Sequence, residues 1–191
     1  RYTGFVAPAP SGPHPVELGT GEILVSAGGG PVGAMLFDAA LAAAARMPGH
    51  NWRLLVGGAG NAADIARMQS EAGANVAVDP ARPDFRQMLY HAAASVSMCG
   101  YNTALDLLQT GAPAILVPFD DGGEVEQSLR AVSLAQQSAM EVLPSADMTP
   151  EKMANLVQKV IAEGRRSNDG LQMHGAETTV TLARQLMETP A

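Results

Sequence analysis

The sequence predicts an α/β domain: a doubly wound, Rossmann-like parallel sheet of about six strands. Three observations lead there. Short apolar runs alternate with helix-period segments along the whole chain. The segments between the runs are long enough to cross over between parallel strands. A glycine-rich turn, Gly28-Gly29-Gly30-Pro31-Val32-Gly33, stands between the first run and the first helix. The right-handed crossover preference then makes an open, doubly wound sheet the first choice.

The elements follow in order. Residues 1–20 carry Pro8, Pro10, Pro13 and Pro15 among small residues. Prolines spaced this way fix φ and remove donors, which predicts a semi-extended interdomain linker. Residues 21–191 form the domain. Glu22–Ser26 is the first strand, and an Ala-rich helix runs to about Met47, stopped by Pro48-Gly49. Asn51–Gly57 is a second strand, Ala62–Ala72 a helix ended by Gly73, and Ala74–Val78 a third strand. Pro83 and Asp84 start a short helix over Phe85–Ala92. Ala94–Met98, Ala114–Val117 and Ala139–Leu143 are three further strands. Between them lie helices at about Asn102–Gln109 and Glu124–Gln137. Helices near Pro150–Ala162 and Met173–Met187 close the chain, separated by a polar break from Arg165 to Gly170.

Composition excludes several classes. With 191 residues, 47% hydrophobic and only 4% aromatic, the chain can bury one core of helices packed closely on a sheet. A net charge of -7 disfavours a nucleic-acid or polybasic membrane surface. No apolar run reaches the ~18 residues of a membrane span. The single Cys99 cannot form an internal disulfide, which points to a cytoplasmic location. His14, His50, His91 and His174 are scattered, so no metal site is expected. The chain opens at Arg1 without an initiator Met and reads as a fragment of something larger.

Gly28-x-Gly30-x-x-Gly33 matches the dinucleotide fingerprint in the right place. However, the acid that grips a ribose belongs ~20 residues on, and the second strand instead ends in Val56-Gly57-Gly58. No Gly-Lys-Ser/Thr follows, so a Walker loop is excluded as well. What remains is a turn whose N–H groups and helix terminus can approach an anion. One helix terminus contributes roughly 0.3–1 kcal/mol, whereas millimolar binding needs about 4 kcal/mol. Further contacts must come from other strand ends.

Two junctions gather polar side chains for that purpose. Cys99-Gly100-Tyr101-Asn102-Thr103 follows the fourth strand, with Asn102 or Thr103 as N-cap and Asp106 one turn inside. Asp106 suits either the helix dipole or a pair of ligand hydroxyls. After the fifth strand come Pro118-Phe119, the acidic turn Asp120-Asp121-Gly122-Gly123, and Glu124-x-Glu126-Gln127. Glu126 and Arg130 have the spacing of a surface helix pair. No exposed apolar stripe suggests an interaction module.

Gly100-Tyr101-Asn102-Thr103 with Asp106, Gly111-Ala112-Pro113-Ala114, Val117-Pro118-Phe119 and Glu126-Gln127 together resemble the C-terminal donor-binding half of GT-B glycosyltransferases. The likeness is greatest to family 28 (MurG-like), and within it to a sister group of predicted glycosyltransferases. It covers roughly residues 1 to 188. It implies a UDP-sugar as donor and an inverting, metal-independent transfer of a hexosyl group to an acceptor hydroxyl, with no cofactor. By position it implies that Ser26, Gly28, Gly29 and Gly30 face the diphosphate, with Gly100 and Thr103 beside it. Asp106, where the family usually carries the longer Glu, would accept from the ribose hydroxyls. Glu126 and Gln127 would hold the sugar, and the Arg82 to Phe85 loop would lie near the base. The general base, the acceptor site and any membrane contact would belong to an N-terminal acceptor domain outside this chain. A nucleotide-sugar epimerase half and, less favoured, the dinucleotide domain of an oxidoreductase are the alternatives. If the carry-over is right, Asp106, Glu126 and the Ser26 to Gly30 loop line one cleft.

Overall fold

The computed structural model describes residues 2–27, 31–58, 62–120, 123–168 and 170–188. The glycine triplet Gly28, Gly29 and Gly30, to which the sequence assigns a diphosphate role, lies outside them.

Six parallel strands form one sheet: β1 (Ile23–Ala27), β2 (Trp52–Val56), β3 (Val76–Pro80), β4 (Ala94–Met98), β5 (Ala114–Val117) and β6 (Met140–Val142). Their order is β3-β2-β1-β4-β5-β6, so the chain winds outward in both directions from the β1/β4 pair, as the alternating pattern predicts. Among the described residues, seven α-helices connect or follow them: α1 (Pro31–Arg46), α2 (Ala62–Glu71), α3 (Phe85–Met88), α4 (Tyr101–Thr110), α5 (Glu126–Leu134), α6 (Pro150–Glu163) and α7 (Gly175–Glu188).

Side chains alternate across each strand, and both sheet faces are covered. Ile23, Val25, Leu54 and Val96 pack against α1, α2 and α6 through Leu36, Phe37, Met68, Met153 and Val157. Leu24, Leu55 and Leu116 pack on the other face against Met88, Leu107, Leu108 and Leu134 of α3, α4 and α5. Arg53 on β2 ties the start of β1 to β3, bonding Glu22 at 2.6 Å and Asp79 at 2.5 Å.

Several local expectations need correction. β3 starts at Val76 rather than Ala74 and ends on Pro80, tolerated because β3 is an edge strand. Helix α4 begins at Tyr101, with Gly100 as its N-cap at φ −64, ψ 157 and no side-chain cap. Asn102 and Thr103 are therefore inside the first turn and free for other uses. Asp84 does not cap α3 with its side chain; Arg82 and His14 occupy its carboxylate instead.

The proline-rich N-terminal segment is laid along the domain rather than held away from it. Phe5 and Gly175 share a backbone bond of 2.9 Å, Phe5 N–H donates to Gln172 at 2.7 Å, and Val6 bridges antiparallel to His174. Gln109 donates to the Pro8 carbonyl at 2.9 Å and Arg86 to that of Ala9 at 2.8 Å. No helix among the described residues is long and apolar enough to cross a membrane.

Candidate functional site

The site lies at the carboxyl ends of β1, β4 and β5, where strand order reverses and a crevice opens. Ser26 pairs in register with Ser97 across β1 and β4. Its hydroxyl donates to Ser97 Oγ at 3.5 Å, and Ser97 shares a 2.5 Å hydrogen bond with Ser95. Ser95 and Ser97 are fully buried, so a line of three hydroxyls runs from the crevice into the sheet. Their mutual bonds satisfy groups that would otherwise be costly to bury.

Ser26, Gly100, Thr103 and Gln127 line one cavity of about 250 Å³, with Ala27 and Met98 as its walls. The first turn of α4 opens onto it, presenting the N–H groups that a helix start leaves without intrahelical partners. At Gly100 a Cβ would meet nothing within 4 Å, so the absent side chain leaves open space above the turn. Gln127 is oriented by the Phe119 N–H, which its Oε1 accepts at 3.0 Å.

Asp106 stands in a second cavity of about 340 Å³, on the other flank of α4, with Arg82, Phe85, Arg86, Asn102 and Pro8. Successive residues Asn102 and Thr103 thus face the two cavities separately. Arg86 Nε holds Asp106 Oδ1 at 2.9 Å, with both side chains mostly buried. Burial pushes the Asp106 carboxyl above its usual range, and the guanidinium only partly offsets this.

The expectation that Asp106, Glu126 and the Ser26 loop line one cleft fails. Ser26 lines one cavity with Gln127, Asp106 lines the other, and Glu126 lines neither. The Glu126 side chain is 72% exposed and pairs with Arg130. That arginine is more than half of a surface pair. It donates to the Cys99 carbonyl at 2.7 Å and lies 5.7 Å from the centroid of the Tyr101 ring, tying α5 to the start of α4. Asp120 is also engaged, accepting from the Ser145 N–H at 3.3 Å and from its hydroxyl. The expectation of no apolar stripe fails: Val125, Leu129 and Val132 are 61%, 69% and 58% exposed along α5.

Pro8 and Arg86 are among the cavity residues that escaped the sequence reading. Pro8 had no signal, because only folding brings it back over α4. Arg86 sits one residue beyond the loop assigned to the base, and a charged residue on a short helix is uninformative without its partner.

The family model for the glycosyltransferase family 28 C-terminal domain matches residues 25–186. The chain belongs to that family. A UDP-N-acetylglucosamine--N-acetylmuramyl-(pentapeptide) pyrophosphoryl-undecaprenol N-acetylglucosamine transferase from Brucella canis is 32% identical over 149 residues, covering 72% of this chain and 38% of the relative. The chain thus spans well under half the length of that transferase. Among solved structures, MurG of Acinetobacter baumannii aligns over 87% of this chain and 50% of its own, with TM-score 0.68 and 20% identity. A UDP-N-acetylglucosamine 2-epimerase, described as putative, from Listeria monocytogenes aligns over 93% and 49%, with TM-score 0.60 and 10% identity. These neighbours share the GT-B fold of the family 28 domain.

Proposed function

We propose that this chain binds a nucleoside-diphosphate sugar, UDP-linked, and forms the donor half of an inverting, metal-independent hexosyltransferase. The observation that carries the reading is the cavity of Ser26, Gly100, Thr103 and Gln127 at the start of α4, with the pocket of Asp106 on the other flank of that helix. The first cavity suits the diphosphate. Helix N–H groups and the Ser26 and Thr103 hydroxyls would meet its charge without a metal. The second suits the nucleoside, with Asp106 as acceptor for ribose hydroxyls and Phe85 as an apolar wall. Gln127 would reach the sugar. Glu126 would join it only by leaving Arg130.

In the reaction, an acceptor hydroxyl attacks the anomeric carbon. The bond from that carbon to the diphosphate oxygen breaks, and the electron pair leaves with the nucleoside diphosphate. As negative charge grows on the leaving group, the oriented dipoles at α4 would stabilise it more than the ground state. The hydroxyl proton would pass to a base on an acceptor domain of a longer protein, the partner this half requires. Sugar transfer by the 191 residues alone would sink that part of the proposal.

Titration by calorimetry or ligand-observed NMR tests the binding claim. UDP should bind, and binding of NAD without UDP would replace the reading with a dinucleotide domain. The epimerase reading draws on the shared fold of the Listeria protein. Release of free UDP by a longer protein only when an acceptor is present would exclude it.

A further inference from the structure

Arg130 on α5 has three partners, and two of them belong to the turn that opens α4. Its Nη1 donates to the Cys99 carbonyl at 2.7 Å, its guanidinium lies 5.7 Å from the centroid of the Tyr101 ring, and Nη2 pairs with Glu126. Only 18% of its side chain is exposed, so it is set in place before any ligand arrives. The bond to Cys99 has a geometric consequence. The Cys99 N–H donates to Val117 at the end of β5, and the Cys99 carbonyl turns the same way, toward α5. A trans peptide sets its N–H opposite its C=O, and none of the described peptides is cis. Since β4 lies between β5 and β1, the Gly100 N–H points toward β1, where Ser26 and Ala27 wall the cavity that Gly100 also lines. Among the described residues nothing accepts from that N–H.

We propose that Arg130 is a positioning residue of this cavity: by holding the Cys99 carbonyl it fixes the Cys99–Gly100 peptide and aims the Gly100 N–H at a phosphate oxygen of the ligand. The proposal rests on the cavity taking the diphosphate, as argued above. A peptide free to turn must be ordered at each binding event, whereas one already held by a guanidinium is preorganised. The cation on the carbonyl also polarises the peptide, which strengthens the N–H as a donor. Arg130 thus acts through Gly100 rather than by touching the ligand.

UDP and uridine differ in the diphosphate alone. Their dissociation constants should be measured by ligand-observed NMR on the 191-residue chain and its variants, with the Gly100 amide followed in the proton–nitrogen spectrum. In the wild type UDP should bind the tighter of the two and move the Gly100 amide proton downfield. Arg130→Ala should weaken UDP about tenfold, the loss of one hydrogen bond to a charged group, while uridine stays within about twofold. The Gly100 shift should shrink with it. Arg130→Lys, which keeps a cationic donor for the Cys99 carbonyl, should recover part of the UDP affinity. Equal weakening of UDP and uridine in Arg130→Ala overturns the proposal, since that is the mark of a merely structural residue. So does unchanged UDP binding in that variant, or a lysine variant that binds UDP no better than the alanine one. A wild type that binds UDP without moving the Gly100 amide overturns it with no variant needed, and leaves the donor-site reading standing. If the wild type binds UDP no better than uridine, or binds neither, the diphosphate reading of the cavity falls and takes this inference with it.

Discussion

Cys99 lies at the turn between β4 and α4, within one residue of the Gly100 that caps the helix. Its side chain is fully buried, and burial pushes the thiol up to about 11, with the Arg130 charge pulling slightly the other way. Since the thiolate is the nucleophile, the native protein should react with a maleimide at pH 8 far more slowly than the urea-unfolded chain; equal rates would contradict the burial. Gly111 is a different case of a residue bound to its place. It ends α4 at φ +67, and an added Cβ would stand 2.3 Å from the Arg166 carbonyl oxygen. Both strain and contact oppose a side chain, so Gly111→Ala should cost at least about 1–3 kcal/mol in urea unfolding. A loss within about 0.5 kcal/mol, the ordinary surface value, would show that the turn relaxes.

At the scale of elements, most of the architecture was readable because it rests on period and punctuation. Short apolar runs placed the strands, and Pro48-Gly49 and Gly73 placed helix ends. Helix α6 shows the strongest form of this. Thr149 accepts the Lys152 N–H at 3.2 Å while Pro150 opens the first turn. Thr149→Ala should cost about 1 kcal/mol, a fall of about 2–4 °C in melting temperature; an unchanged melting temperature would show that the cap is idle. The start of α4 was less readable. Asn102 and Thr103 are good capping types, yet Gly100 caps the helix and leaves both side chains to the two cavities. Local preference cannot tell a residue that caps from one that waits for a ligand. Arg86 was missed for a related reason: its role is defined by Asp106 and Ala9, each far away in sequence.

Across the whole molecule, the N-terminal segment is held by groups on α3 and its approach. His14 Nδ1 accepts from the N–H groups of Val16 and Leu18 at 3.3 and 3.4 Å, so Nε2 carries the proton that it donates to Asp84 at 3.1 Å. The Arg82 guanidinium, followed by the His14 bond, holds the Asp84 carboxyl at about 2 against burial that would raise it. A carboxyl depressed on folding stabilises the fold above its unfolded value near 3.8, and that stabilisation is lost as pH falls toward about 2. Asp84→Asn should therefore lower the melting temperature at pH 7, and the gap from the wild type should close on acidification to pH 2. A gap that persists at pH 2 would trace the loss to packing instead. The sequence reads residues 1–20 as a linker, and their attachment to Gln109, Arg86 and Gln172 depends on surfaces that exist only after folding.

The antiparallel bridge of Val6 with His174, flanked by the Phe5 bonds to Gln172 and Gly175, also has a mechanical consequence. Tension applied between residues 2 and 188 meets this short ladder from its open end, so its bonds give way one after another, as a zipper does, before the parallel sheet carries load. The peeled segment then takes the Pro8 and Ala9 carbonyls off Gln109 and Arg86. Pulling on the ends thus loosens the Asp106 pocket while the core remains intact. In a force trace this predicts a small first extension that binding of nucleotide to that pocket should move to higher force.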